Sequence, residues 1–130
     1  RVLFRSVEMD IIINNASNQP LYEQIVTQIK QLIISNVLKE GEALPSMRLL
    51  AKELKISVIT TKRAYEELER EGFIESVTGK GSFVSAKNPE LLKEESYRII
   101  EQYLNKVVEK AKLCGLSKQE ILELLETLYD

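Results

Sequence analysis

Residues 46–72 read SMRLLAKELKISVITTKRAYEELEREG, and the punctuation of this stretch decides the fold. Ser46 and Ser57 each stand just before a run with helical spacing. A serine hydroxyl in that place accepts a hydrogen bond from the first helical turn. After Ser46, Leu50, Ala51 and Leu54 share one face of a short helix. After Ser57, Thr61, Ala64, Tyr65 and Leu68 recur at three, one and three, which predicts a buried stripe on a helix over 58–71. Only Lys55 and Ile56 separate the first helix from Ser57. Gly72 ends the second, because a residue without Cβ enters the left-handed conformation at little cost. Two helices joined so closely predict a helix-turn-helix.

Upstream, Pro20 opens a helix whose Leu21, Ile25, Ile29, Leu32 and Ile33 line one face, running to about Asn36. Pro45 halts any backward extension of the next helix. Asp10–Asn14 (DIIIN) is expected to form a short edge strand. Residues 1–8 precede Met9 and fit no expected element, so they are read as an expression remnant outside the fold. Downstream of Gly72 the period changes from helical to two. Phe73–Val77 and Ser82–Ser85 bracket Thr78-Gly-Lys-Gly81, which predicts a β-hairpin. The expected class is therefore mainly α with a small β wing, a winged helix-turn-helix domain over residues 9–87.

Asn88-Pro89 marks a boundary. Beyond it Tyr97, Ile100, Leu104, Val107, Ala111 and Cys114 recur at three, four, three, four and three, a heptad-like seam on a helix of about 89–113. Gly115 ends that helix, and Ser117 with Glu120 forms a capping box for a last one carrying Ile121, Leu124, Leu125 and Leu128. Such a seam is longer than one face of a small domain can cover. The tail, residues 88–130, is thus expected to dimerise, through Tyr97, Ile100, Leu104, Val107, Ala111, Ile121 and Leu125.

Charge sharpens this division. The 130 residues carry 18 Lys+Arg against 20 Asp+Glu, a net charge of −2 that hides a local imbalance. Residues 46–65 hold Arg48, Lys52, Lys55, Lys62 and Arg63 against Glu53 alone, a balance of +4. The tail carries six basic and nine acidic groups, a balance of −3. A cationic stretch beside an acidic tail suggests one surface for a polyanion and another for a different partner. Other classes find no support. Without histidine there is no Ser-His-Asp triad and no His-ligated zinc, and one cysteine, Cys114, forms neither an internal disulfide nor a Cys-rich metal site. No apolar run approaches the roughly 20 residues of a membrane span. No enzymatic activity, cofactor, metal or membrane association is expected, and a single thiol fits a reducing cytoplasm.

Leu44-Pro-Ser-Met-Arg48, Leu50-Ala51, Lys62-Arg-Ala-Tyr-Glu-Glu-Leu-Glu69, Glu71-Gly-Phe-Ile74 and Gly79-Lys-Gly-Ser-Phe-Val84 together resemble the GntR family of repressors over residues 18–86. Pro20-Leu-Tyr-Glu-Gln-Ile25, the Ala64-Tyr65 pair and the short helical tail are similar to its YtrA subfamily. Residues 89–130 are too few to enclose a ligand pocket of usual size. The resemblance implies a dimeric winged helix-turn-helix that represses an operon, often one encoding an ABC transporter. It also implies DNA contacts from Arg48, Thr60 and Lys62, with Gly79 entering the minor groove. Where this chain has Val58 and Ile59, relatives commonly have arginine and asparagine.

Physical roles follow from the residue types. Ser57 caps its helix, whose free N–H groups can also hold a phosphate. Thr60, Lys62 and Arg63 are expected to project opposite Ala64, Tyr65 and Leu68, Arg63 as a phosphate clamp. Ile59 either packs on the second helix or meets a thymine methyl. Lys80, beside Gly79, meets the negative potential of a narrow minor groove. The partner is then a double-stranded operator with two-fold related half-sites, bound by a homodimer. No residue identifies a small-molecule effector. The competing reading, a winged protein–protein module, leaves the basic stretch and the glycine-tipped wing without a purpose.

Overall fold

The structure, a computed structural model, describes the backbone of residues 2–4 and 7–130 and the side chains from Met9 onward. Strands β1 (Val2–Phe4) and β2 (Val7–Met9) precede helices α1 (Leu21–Ile34), α2 (Met47–Leu54) and α3 (Val58–Arg70). Strands β3 (Ile74–Val77) and β4 (Gly81–Val84) follow, then helices α4 (Pro89–Cys114) and α5 (Lys118–Tyr129). The chain divides into two compact units, residues 1–88 and 89–130. The mainly helical class with a two-stranded wing is the one expected.

The N-terminal stretch departs from expectation. Residues 1, 5 and 6 of the supposed remnant lie outside the described residues, but β1 and β2 pair antiparallel, Val2 opposite Met9, so this stretch does form an element. The strand expected over Asp10–Asn14 does not form. Its place is explained by two glutamines one turn apart on α1. The Gln28 amide bonds both backbone groups of Ile12, at 2.8 and 2.7 Å, and that of Gln24 bonds both of Asn14, at 2.8 and 3.0 Å. These side chains supply the hydrogen bonds a neighbouring strand would have given, so the segment needs no sheet.

Helix α1 turns Ile25, Ile29 and Ile33 into the core, as the spacing requires, and ends at Ile34, two residues early. Asn36, at φ 64°, then reverses the chain. The α1 face packs against α3, which buries Thr61, Ala64, Tyr65 and Leu68. Ser46 and Ser57 act as N-caps, each accepting a backbone N–H three residues on at 3.1 Å. Lys55 closes α2 in the left-handed conformation, φ 57°, which lets α3 begin three residues later.

Two hydroxyls of α3 fix its angle to α2. Tyr65 Oη donates to the Pro45 carbonyl at 2.7 Å, in a fully buried bond. Thr61 Oγ1 lies 3.0 Å from the Met47 carbonyl and 2.8 Å from that of Val58, two acceptors for one proton. Burial raises the Tyr65 pKa well above its ordinary value, so this donor stays protonated throughout the physiological range.

The wing attaches to the same place. Strands β3 and β4 pair antiparallel with Ile74 opposite Val84. The free edge of β4 is covered by residues 41–44: Gly41 N–H donates to the Val84 carbonyl, Val84 N–H to that of Glu42, and Leu44 N–H to that of Ser82, each at 2.9 Å. The segment before α2 is therefore a third strip of the wing. Gly72, φ 86°, ends α3 and turns the chain into β3.

In the second unit, α4 and α5 are joined through Gly115, φ 76°. The expected capping box is complete: the Ser117 hydroxyl accepts from Glu120 N–H at 3.1 Å and the Glu120 carboxylate accepts from Ser117 N–H at 3.3 Å.

Replacing Tyr65 by Phe leaves a buried carbonyl without its donor and should lower unfolding free energy by about 1–3 kcal/mol. Urea denaturation followed by circular dichroism measures this, and a variant as stable as the parent would show that Pro45 does not depend on that hydroxyl.

Candidate nucleic-acid interface

The five cations counted between residues 46 and 65 are all exposed on α2, α3 and the turn between them. Their partners differ, and the differences sort them by role. Arg48 sits in the first turn of α2 and forms no ion pair or hydrogen bond among the described residues, Glu53 included. A cation there gains nothing from the helix dipole. Its side chain is exposed to solvent. The turn that carries it is pinned, since Pro45 and Met47 on either side of Ser46 receive the α3 hydroxyls.

On α3 the expected residues are spread over two faces. Lys62 is exposed and lies 3.9 Å from Glu66, a loose surface pair that an incoming phosphate can replace. Arg63 does not stand free as a phosphate clamp would. Its guanidinium carbon lies over the Tyr22 ring of α1, 3.8 Å from the ring centre, in a cation–π contact. Thr60 is half-buried rather than projecting opposite the core, and its hydroxyl pairs with that of Ser57 at 2.9 Å. At position 60 the helix has turned toward α1, and Thr60 lines a groove with Leu21 and the segment Ile11–Ile13. Ile59 does not pack on α2; it is 80% exposed.

At the wing tip, Lys80 N–H donates to the Val77 carbonyl at 2.9 Å, closing a tight turn around Gly79. Gly79 has φ 77°, and a Cβ placed there would meet nothing within 4 Å. Its backbone is therefore bare toward the outside, and Lys80 is exposed beside it. The remaining α3 cation is taken up internally. Arg70 holds the Glu67 carboxylate with two donors, and that bond keeps Glu67 below the ordinary carboxylate range.

Three contributors were not singled out from sequence. Tyr22 entered only within the Pro20–Ile25 motif, yet it is the surface on which Arg63 rests. Lys30 is buried, with Nζ 2.8 Å from Glu71 and 5.2 Å from the Phe73 ring centre, and so ties α1 to the junction of α3 and the wing. Residues 41–44 brace β4. Only the last had a signal, a proline-ended loop followed at once by a capped helix.

The tail places Tyr97, Ile100, Leu104 and Val107 exposed on α4, with Ala111 buried. On α5, Leu124, Leu125 and Leu128 are exposed and Ile121 is half-buried. Val107, Ala111, Cys114, Leu116 and Ile121 line a shallow apolar recess between the two helices. Among the described residues no helix is long and apolar enough to cross a membrane, and no cluster of three or more His, Cys, Asp or Glu is placed to hold a metal.

Residues 21–84 match the family described as bacterial regulatory proteins, gntR family. The chain is 34% identical over 118 residues to the HTH-type transcriptional repressor YtrA of Bacillus subtilis (strain 168), covering 91% of each protein. Among solved structures it is similar to a GntR family transcriptional regulator from Listeria monocytogenes, with 26% identity and a TM-score of 0.72 over 88% of this chain and 98% of that one. It is also similar to YtrA from Sulfolobus acidocaldarius, a GntR-family transcription factor, with 32% identity and a TM-score of 0.55 over 92% and 96%. A capped helix pair, a glycine-tipped wing and relatives that align over nearly their whole length lead to one conclusion: the chain belongs to the GntR family and is a DNA-binding transcriptional regulator.

Proposed function

We propose that the chain acts in the cytoplasm as a homodimeric repressor, with residues 9–87 of each copy on one half-site of a two-fold operator and residues 88–130 joining the copies. The observation that carries the DNA-facing half is Arg48, exposed and without an ion pair or hydrogen bond among the described residues, on a turn that α3 locks in place. Arg48 and the wing tip at Gly79 and Lys80 then contact the duplex on either side of α3. Lys62 leaves Glu66 for a phosphate, and Arg63 offers guanidinium N–H groups to the backbone while resting on Tyr22. Ser57 and the start of α3 face the major groove, as recognition helices do.

Support for pairing through the tail comes from α4. Tyr97, Ile100, Leu104 and Val107 form an exposed apolar line that one copy leaves in water. A second copy placed with two-fold symmetry covers the same residues on both sides. The acidic excess of this unit keeps it from competing for phosphate. Repression follows from occupancy: a dimer spanning successive major-groove faces blocks access to the promoter it covers.

Arg48→Ala and Lys62→Ala should each weaken operator binding by roughly ten-fold and flatten its salt dependence by about one counterion per lost phosphate contact, with melting temperature unchanged. Fluorescence anisotropy over a salt series measures both, and wild-type affinity in both variants would contradict the assignment. Footprinting should reveal two protected tracts about one helical turn, or a whole multiple of it, apart. Protection of a single half-site would contradict the two-fold arrangement. Leu104→Glu should give a monomer by sedimentation and lose cooperative binding, and a dimer that persists would place the contact elsewhere.

A further inference from the structure

Five of the first seven residues of the recognition segment have their side chains engaged within the protein. Ser57 caps the helix, and the Thr60 hydroxyl bonds that of Ser57. Thr61 is buried against the Met47 and Val58 carbonyls. Lys62 leans toward Glu66, and Arg63 lies on Tyr22. Val58 and Ile59 are the two others, and Ile59 is the more open: a branched four-carbon side chain, 80% exposed, in the first turn of α3. Val58, beside it, is 39% exposed. Water is a poor medium for such a group. The major groove has one apolar feature to offer it, the 5-methyl group of thymine.

Resting on the DNA-facing reading above, we infer that Ile59 is a specificity-determining residue that reads a thymine methyl in each half-site. The neighbouring geometry favours this. With Arg63 resting on Tyr22 and Thr60 turned to the helix cap, Lys62 is the long polar side chain of α3 left free to move beside Ile59. Lys62 is a flexible point charge that suits a phosphate better than a planar base pattern. Sequence discrimination at the front of the helix therefore comes from shape and apolar contact rather than from a bidentate hydrogen bond. A cytosine or guanine at that step offers no methyl and leaves the isoleucine against polar edges.

The test uses duplexes recovered by selection from random DNA, in which each thymine of a half-site is replaced in turn by deoxyuridine. That change removes the methyl and keeps every hydrogen-bonding group. Wild-type protein should lose about four-fold in affinity per half-site at one thymine position, as expected for one buried methyl-sized group. Ile59→Ala should bind the thymine and deoxyuridine duplexes equally at that position, while its salt slope and melting temperature match the parent. Equal deoxyuridine sensitivity in both proteins would overturn the inference, as would a selected site with no fixed thymine in its half-sites. The DNA-facing reading would survive either result. Recovery of no DNA at all would overturn both.

Discussion

Residues 44–47 hold the interface together. Leu44 N–H binds the wing, the Pro45 and Met47 carbonyls receive the Tyr65 and Thr61 hydroxyls of α3, and the Ser46 hydroxyl starts α2. Four consecutive residues thus fix the three elements that would meet a duplex. The Pro45–Tyr65 bond is buried, so losing it leaves a carbonyl unsatisfied in a place water does not reach. Proline suits this site because it has no N–H to satisfy, and its fixed φ aims the carbonyl inward. The spacing between Arg48, α3 and the wing then depends on a few short bonds rather than on side-chain packing alone.

The electrostatics follow from that rigidity. A chain with net charge −2 binds a polyanion only if its cations are gathered on one surface and left available. Here Arg70 is held by Glu67 and Lys30 is buried beside Glu71, both away from the cationic stretch of residues 46–65. Within that stretch Arg48 has no ion pair or hydrogen bond among the described residues, and Lys62 is loosely paired. The acidic excess falls outside that stretch: residues 88–130 carry nine acidic groups against six basic ones.

Much of this was legible from residue order. Serine caps, glycine stops and the change of period after Gly72 are local signals, decided by backbone conformations that few residue types adopt. The helix-turn-helix, the wing and the tail capping box were all visible for that reason. What was not legible depends on contacts between distant segments. Nothing local says that Gln24 and Gln28 will replace a strand at Asn14 and Ile12, because glutamine on a helix face is ordinarily solvated. Thr60 looked outward because the segment Ile11–Ile13 and Leu21, which line its groove, lie some forty positions earlier, and Arg63 looked free because Tyr22 lies 41 positions earlier. Ile59 was placed between two readings, and only its exposure separated them.

The most direct test of a preformed face is a crystal structure of the chain bound to an operator duplex. The Tyr65–Pro45 and Thr61–Met47 bonds should persist unchanged, with Arg48, the start of α3 and the wing tip of each copy all in contact with one duplex. A complex in which those bonds are broken, or in which the duplex lies on another face, would contradict the account.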